Sequence, residues 1–222
     1  MAVLLNFCQH VGGRRHAHST NGTIPSLLVA TTNPGKRREF EALLAGLPGE
    51  LRFPADLGLM QPVEETGQTY ADNARLKAVA LAQAAGTIAV GDDSGLEVEA
   101  LGGAPGLHSA RYAGPGATDA DRRRKLLQEL RHVPPPRLAR FVCVLAVALP
   151  GGEVSLFEGE CRGEIAAEER GLNGFGYDPL FYLPGRRATM AELPSEVKNA
   201  ISHRARAVQA ARAHLAAVLA AS

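Results

Sequence analysis

The chain has 222 residues, 45% of them hydrophobic and 21% charged, which is typical of a soluble globular protein and argues against disorder. This length suits one medium domain or a two-lobed one with a sizeable core. The formal net charge of +1 gives no overall basic field, so the composition predicts no bulk attraction to nucleic acid or to an anionic membrane.

The three cysteines, Cys8, Cys143 and Cys161, are too few and too scattered for a disulfide framework or a zinc site. Cys143 lies in an apolar run, which indicates a small core residue in a reducing cytoplasm. No apolar run approaches the ~20 residues that a membrane-spanning helix needs. We therefore expect a cytoplasmic protein without a membrane segment.

The first 26 residues contain no Asp or Glu and carry Arg and His among Gly, Ser and Thr. A transit-like leader, an expression remnant and an upstream start codon are all open as origins of this segment. Because it offers little apolar surface to bury, we expect residues 1–26 to lie outside the fold. Residues 27–222 are expected to form one domain.

The first predicted strand, Ser26 to Ala30, runs into the polar loop Thr31-Thr32-Asn33-Pro34-Gly35-Lys36. Phe40, Leu43 and Leu44 then recur at helical spacing. A strand, a polar loop and a helix start gather backbone N–H groups and a lysine around one point, which suits a phosphate group. The glycine spacing is not that of a Walker loop, and an Asn-Pro-Gly turn before a capped helix is the alternative.

A second predicted helix, Thr69 to Ala82, is rich in alanine and follows the acidic segment Glu64-Glu65-Thr66-Gly67. Tyr70, Asn73 and Lys77 fall near one face of this helix. A lysine and an asparagine inside an otherwise apolar stripe are unexpected, so this face is a candidate site.

The stretch Gly91 to Gly106 follows the apolar run Thr87 to Val90 and begins with two adjacent carboxylates, Asp92 and Asp93. Neighbouring carboxylates repel each other unless a cation such as Mg²⁺ or a shared proton neutralises them. On an extended backbone the two side chains point to opposite faces, so we expect only one to reach a metal directly. A polar turn after the strand is the alternative interpretation.

Gly106 to Tyr112 is interpreted as extended chain, and Thr118 as the cap of a helix that carries the basic run Arg122-Arg123-Arg124-Lys125. No aromatic stacking residues accompany this run, so a solvated helix face is favoured over a nucleic-acid surface. The apolar segment Ala139 to Leu149, a Pro-Gly-Gly turn and a returning segment, Val154 to Ile165, predict an antiparallel strand pair. Helices followed by such a pair indicate a mixed α/β sheet.

Two late motifs concentrate candidate ligand contacts. The segment Gly174-Phe175-Gly176-Tyr177-Asp178 stands out in a chain with 5% aromatic residues and no Trp. Its glycines let a planar ligand approach and stack on Phe175, although an aromatic core loop is the alternative. Ser195 is the predicted cap of a long C-terminal helix through Leu219. Lys198 and the pair His203-Arg204 on it are candidates for a phosphate and a base edge, with solvated helix residues as the alternative.

In order and approximate spacing, these motifs resemble those of the inosine triphosphate pyrophosphatase family, which acts on noncanonical purine nucleoside triphosphates. The resemblance runs from about Leu27 to the C-terminal helix. The motifs that carry it are Thr31-Thr32-Asn33-Pro34-Gly35-Lys36, Glu64-Glu65-Thr66-Gly67, Asp72-Asn73-Ala74 with Lys77, Asp92-Asp93-Ser94-Gly95-Leu96, Gly102-Gly103-Ala104-Pro105-Gly106, Ser109-Ala110-Arg111-Tyr112, Gly174-Phe175-Gly176-Tyr177-Asp178-Pro179 and Ser202-His203-Arg204.

The resemblance implies a two-lobed α/β fold with a long mixed central β-sheet flanked by helices and an active-site cleft between the lobes. It also implies a homodimer that binds neither nucleic acid nor membrane. The implied reaction is Mg²⁺-dependent hydrolysis of ITP, dITP or XTP to the monophosphate and pyrophosphate, which removes deaminated purines from the nucleotide pool.

Matched position by position, the resemblance implies that Asp93 is the general base and a metal-linked acid, and that Glu64 is a metal ligand. Asp92 and Glu65 have supporting roles in this scheme. Asp72 stands where the family commonly has Glu, which leaves a metal role for this acid open. The implied substrate contacts are Thr31, Thr32, Asn33, Pro34, Gly35, Lys36, Lys77, Ser94 and Lys198, and the implied base-pocket residues are Phe175, Gly176, Tyr177, Asp178, His203 and Arg204.

Two rival functions follow from the same residues. A Maf-like nucleotide pyrophosphatase would act on modified or pyrimidine nucleotides, and the Phe175 and His203 motifs argue against it. A nucleotide-sensing module would keep the pocket without turnover, and the intact Asp93 and Glu64 weigh against that.

Discrimination for a 6-keto purine requires a donor facing O6, which Arg204 or a backbone N–H is expected to supply. Adenine would leave that donor unpaired, at a cost of ~1–3 kcal/mol.

Overall fold

The computed structural model describes residues 25–59 and 63–222, so the predicted leader, residues 1–26, lies almost wholly outside the described residues. The described chain contains seven strands: β1 Ser26–Ala30, β2 Glu50–Arg52, β3 Ile88–Val98, β4 Leu138–Ala148, β5 Val154–Ile165, β6 Phe181–Leu183 and β7 Ala188–Thr189. Its α-helices are α1 Pro34–Leu43, α2 Tyr70–Ala85, α3 Asp119–Glu129, α4 Ser195–Ile201 and α5 His203–Ala220.

All described strands join one mixed sheet in the order β2-β1-β3-β4-β5-β6-β7. β1 pairs in parallel with β2 and β3, whereas the pairs from β3 onward are antiparallel. The antiparallel part includes the long hairpin of β4 and β5 that the sequence predicts. Asp93 of β3 lies opposite Val144 of β4 on the other side of that hairpin. The predicted mixed α/β sheet is thus confirmed.

Helices cover both faces of the sheet, and the apolar core divides between its two ends. At the β1 end, α1 and α5 pack on one face through residues such as Phe40 and Leu215. On the opposite face α2 packs through Ala74 and Ala78, whose small side chains allow a close approach to the strands. A separate cluster around Leu126 of α3 fills the other end. This division gives the fold its two halves.

Three helices begin where a polar side chain accepts backbone N–H groups, as local sequence signals predict. Asn33 accepts from Gly35 and Lys36 at the start of α1. Thr69 and Thr118 cap α2 and α3. In α2 the cap is reciprocal, because Asp72 accepts the Thr69 N–H at 3.0 Å. Asp72 is therefore a helix-capping residue on an exposed surface.

Three local expectations differ from the structure. β3 does not end at Val90 but continues to Val98, so both aspartates lie inside a strand. Gly106–Arg111 forms a short helical segment where extended chain was expected. The C-terminal helix is not continuous from Ser195, because Ser202 has extended backbone and its hydroxyl caps a new helix at Ala205 N–H, 3.2 Å away. Among the described helices, none is both long and apolar enough to cross a bilayer.

Candidate active site

Asp92 and Asp93 point to opposite faces of the central strand, as strand alternation requires. Asp92 is fully enclosed, where it accepts a hydrogen bond from Arg204 Nε at 3.0 Å and pairs with Lys36. Asp93 lies on the α2 face and accepts from Lys77 Nζ at 3.0 Å. Neighbouring carboxylates therefore have different cationic partners.

The pKa values of these two carboxyls move in opposite directions. Burial opposes ionisation of Asp92, but Arg204, Lys36 and Lys77 outweigh burial and hold its pKa well below the usual range. Burial also acts on Asp93, and there it outweighs Lys77, so the pKa of Asp93 is raised. Two titratable groups whose pKa values are pushed apart are suited to different roles, one as a fixed charge and the other as a proton acceptor.

A second carboxylate meets Asp93 around the same lysine. Glu65 accepts from Lys77 Nζ at 2.9 Å, and Asn73 Nδ2 lies 3.3 Å from Asp93. Burial raises and Lys77 lowers the pKa of Glu65, with a net decrease. Glu64, the expected metal ligand, is exposed and lines neither of the two cavities next to Asp93. The structure thus brings Glu65, and not Glu64, beside the candidate base.

The loop before α1 forms one wall of the cleft. Thr31, Thr32 and Asn33 line it together with Lys36. Pro34 and Gly35 form the first turn of α1, where Asn33 accepts the Gly35 and Lys36 N–H groups, so this wall offers an anion the positive end of the helix dipole and the Lys36 ammonium group. Gly35 also approaches the Phe175 ring so closely that a Cβ atom there would lie 2.4 Å from the ring. A glycine is therefore required at this position.

Phe175 forms the opposite wall, and charged groups surround its ring. Lys198 Nζ lies 4.7 Å from the ring centroid, and the Phe175 N–H donates to Asp178 at 2.9 Å. Gly176 and Tyr177 line the same cavity. The Tyr177 hydroxyl donates to the Ser109 carbonyl at 2.9 Å, which ties this loop to the segment after β3.

A buried network of charges connects the two walls. Glu39 of α1 lies 2.7 Å from Lys198 and also accepts from Arg204. Lys198 in turn pairs with Asp178. Lys198 and Arg204 together lower the pKa of Glu39 against the opposing effect of burial. Glu39 is not among the residues predicted from sequence, where the only signal is an acid directly before Phe40 on the buried side of α1.

Arg204 is only 1% exposed, and its donors are already engaged. They reach Asp92, Glu39 and the Ser94 hydroxyl, the last at 2.9 Å. The expectation that Arg204 presents donors to a base edge is not met in this arrangement. Its guanidinium instead joins β3 to α1.

His203 is buried and stacks on Phe141, with ring centroids 4.7 Å apart. Burial and the nearby Arg204 hold the pKa of His203 well below its usual range, so the ring is neutral at physiological pH. Its Nδ1 has no hydrogen-bond partner among the described residues. His203 also lines the cleft with Phe175. The cleft is thus lined by a neutral imidazole whose Nδ1 is buried without a partner.

The cleft therefore collects most of the predicted site residues, with Pro34 in the adjoining helix turn and Glu64 outside. Side chains from loops at both ends of the sheet line it, including Lys36 on one side and Tyr177 on the other. This arrangement combines a carboxyl group of raised pKa, a lysine at a helix start and an aromatic ring.

Comparisons with known proteins identify relatives of this chain. The sequence model of the Ham1 family matches residues 27–214. A protein of Listeria monocytogenes named dITP/XTP pyrophosphatase is 49% identical over 194 residues, which cover 87% of this chain and 96% of the relative. One of the same name from Geobacillus kaustophilus is 52% identical over 183 residues, 82% of this chain and 90% of the relative.

Solved structures show the same fold. The structure of a HAM1 protein from Coxiella burnetii matches with a TM-score of 0.78 and 40% identity, covering 90% of this chain and all of that one (100%). The Ham1 protein of Staphylococcus aureus matches with a TM-score of 0.77 and 41% identity, covering 87% and 99%. The predicted family and fold are thus confirmed, and the chain belongs to the Ham1 family.

Proposed function

We propose that the protein hydrolyses the deaminated purine nucleotides dITP, ITP and XTP to the monophosphate and pyrophosphate. The observation that carries this proposal is the position of Asp93, a buried carboxyl of raised pKa that lines the same cavity as Lys36 and Phe175. Relatives about half identical to this chain bear the name dITP/XTP pyrophosphatase, which supports the substrate class.

The proposed cofactor is Mg²⁺, and the donor set beside Asp93 fits it. Asp93 and Glu65 converge on the position of the Lys77 ammonium group, and because the described residues contain no group of three or more His, Cys, Asp or Glu side chains that could hold a metal, the site would offer Mg²⁺ two carboxylates. Mg²⁺ is usually held by one or two carboxylates together with substrate phosphates and waters. We assign the second carboxylate to Glu65 because it contacts Lys77 and lines both cavities, whereas Glu64 lines neither of them. When bound, Mg²⁺ would neutralise charge on the phosphates.

Asp93 is the proposed general base. In this step a water oxygen bonds to the α-phosphorus, the bond from that phosphorus to the bridging oxygen breaks, and the water proton passes to Asp93. A carboxyl of raised pKa is a better proton acceptor than an ordinary aspartate. Lys77 and Asn73 hold its oxygens in place through their contacts with it.

Pyrophosphate carries several negative charges as it leaves, and this chain provides lysine side chains for them. Lys36 lies at the cleft with the first turn of α1, and Lys198 lies near Phe175. We propose that Lys36 turns from Asp92 toward the phosphates, where it lowers the energy of the developing charge. Ser94 lines the same passage and leaves room for the phosphate chain.

The proposed base pocket stacks the purine on Phe175 and meets its edge with His203. Because each donor nitrogen of Arg204 already has an acceptor, His203 is the better candidate for the purine edge, provided that its ring turns to bring the buried, unpaired Nδ1 to the cleft. A neutral imidazole offers one donor, and its tautomer decides which nitrogen carries the proton. A donor at Nδ1 would suit O6 of hypoxanthine or xanthine and would be unpaired against adenine.

A test is Mg²⁺-dependent product formation from dITP, XTP, dATP and dTTP by the wild type and by Asp93→Asn. We expect pyrophosphate from dITP and XTP, little from the other two, and a loss of activity in the variant. A preference for dTTP would favour the Maf-like alternative, and binding without turnover would favour a sensor. Orthophosphate as the released product would refute attack at the α-phosphorus.

The remaining expectations complete the proposal. We propose a cytoplasmic homodimer that binds neither nucleic acid nor membrane. Two observations support the absence of nucleic-acid and membrane binding: the net charge is +1, and the basic run on α3 is divided between inward and outward side chains. The homodimer and the location rest on the family resemblance and the composition.

A further inference from the structure

The first turn of α3 contacts the loop that carries Phe175, although more than 50 residues separate them in sequence. Asp119 Oδ2 accepts the Gly176 N–H at 2.8 Å. Arg123 Nη1 donates to the Gly176 carbonyl at 2.8 Å. Two side chains of one helical turn thus satisfy both backbone polar groups of a single loop residue.

Gly176 has no side chain, so its own backbone restricts the conformation of the loop very little. Gly174 and Gly176 flank Phe175, and both have positive φ values, 75° and 61°. The loop runs between β5 and β6 without regular secondary structure. Because glycine is the least restricted residue, remote contacts must select the orientation of the ring between them.

Arg123 and Asp119 are themselves held in place. Arg123 Nε lies 3.0 Å from Glu169, a second point on the same loop. Asp119 pairs through its other oxygen with Arg122, which donates to the Ala117 carbonyl at 2.7 Å. Asp119 and Arg123 thus each have a second partner besides Gly176, which restricts the orientation of both side chains.

The basic run on α3 is therefore not a uniform charged surface. The Arg123 side chain is 14% exposed and faces the loop, whereas its neighbour Arg124 is 74% exposed and pairs with Asp121 on its own helix. Asp119 and Arg122 also line the cleft with Phe175. Arg122 and Arg123 therefore face the cleft and the Phe175 loop, whereas Arg124 faces solvent.

We propose that Asp119 and Arg123 are positioning residues for the purine pocket, which hold Gly176 and thereby set the Phe175 platform. The inference rests on the proposed function for its substrate. A loop without this clamp must be ordered when the substrate binds, and that ordering weakens binding without changing the reacting groups. Arg123→Gln and Asp119→Asn should raise KM for dITP about tenfold and leave kcat within about twofold.

Arg124→Gln is the matched control, because it removes the same charge from the same helix and should leave both constants unchanged. Arg123→Lys keeps the charge but reaches only one of the two acceptors, so its KM should be intermediate. Equal KM values in the Arg123→Gln, Asp119→Asn and Arg124→Gln variants would overturn the inference. So would a loss in kcat alone.

A second measurement does not depend on substrate. The chain has no Trp, so Phe175→Trp introduces a single fluorescent reporter at the platform. Adding Arg123→Gln or Asp119→Asn should lower its steady-state anisotropy and increase quenching by acrylamide, and adding Arg124→Gln should change neither. If the wild type fails to hydrolyse dITP, the proposed function is wrong, but the fluorescence measurement still tests whether Asp119 and Arg123 hold the Phe175 loop in place. Unchanged anisotropy and quenching in the clamp variants would overturn it.

Discussion

Replacing Asp92 and Asp93 separately by asparagine should separate stability from activity, although the residues are adjacent and the substitutions chemically identical. Asp92→Asn removes the carboxylate that pairs with Arg204 and Lys36 in the interior. Asp93→Asn removes the proposed base, but Lys77 keeps its contact with Glu65. We expect the first variant to lose stability and the second to lose activity.

The expected loss for Asp92→Asn follows from its partners. Breaking a buried ion pair costs ~3–5 kcal/mol. Arg204 keeps Glu39 as a partner and Lys36 is partly exposed, so the lower end applies. At ~2–4 °C per kcal/mol for a chain of this size, a loss of about 3 kcal/mol lowers Tm by about 6–12 °C.

Asp93→Asn should behave in the opposite way. Its raised pKa means that the ionised carboxyl is less favourable in the folded than in the unfolded state. Removing the charge should therefore leave the free energy of unfolding at pH 7 unchanged or slightly higher. Loss of a general base typically costs ~10²–10⁴-fold in rate, so kcat/KM for dITP should fall by that factor.

The pH dependence of unfolding in metal-free buffer tests the same assignment. The pKa of Asp92 is lowered on folding. Its stabilising contribution to the free energy of unfolding is therefore fully present above the unfolded pKa of about 3.9 and is lost as the pH falls through the folded pKa. The pKa of Asp93 is raised on folding. Its stabilising contribution to the free energy of unfolding is therefore fully present below the unfolded pKa of about 3.9 and is lost as the pH rises through the folded pKa.

The assays are urea unfolding and pyrophosphate release for both variants under identical conditions. Asp92→Asn should lower the unfolding free energy at pH 7, and Asp93→Asn should not. A stable but inactive Asp92→Asn together with an active Asp93→Asn would refute the assignment of roles. Equal destabilisation of both variants would refute the argument from their partners.

Three further substitutions test individual contacts. Gly35→Ala places a Cβ atom 2.4 Å from the Phe175 ring, whereas Gly185→Ala meets nothing within 4 Å. The added Cβ atom should displace the ring on which the base stacks, and base stacking is worth ~1–3 kcal/mol. We therefore expect Gly35→Ala to raise KM for dITP by about 5-fold or more and Gly185→Ala to leave it unchanged. Equal KM values for the two variants would contradict the close approach of Gly35 to Phe175. Ser202→Ala removes the cap of α5 and should cost ~1 kcal/mol by urea unfolding, with no change arguing against a capping role. Glu39→Gln leaves two buried cations with one partner fewer and should cost ~3–5 kcal/mol, and a Tm equal to that of the wild type would contradict this.

Local features of the sequence predicted a large part of the fold. Asn33, Thr69 and Thr118 begin helices because a side-chain oxygen accepts N–H groups two or three residues away, and such signals are readable from spacing. The opposite orientations of Asp92 and Asp93 also follow from sequence, since side chains alternate along any strand. The break at Ser202 was missed because an Ala-rich helix pattern on both sides predicts continuity, although Ser is a favoured cap.

The sequence by itself determined the family motifs, the mixed sheet and the set of residue types available for the site. Only the tertiary structure decided which of them meet. Arg204 bonds to Glu39 and Asp92 across separations of 165 and 112 residues, and Glu65 rather than Glu64 reaches Lys77. Local periodicity carries no information about such pairs, because packing of whole helices and strands sets which side chains share a cavity and which charges are buried together.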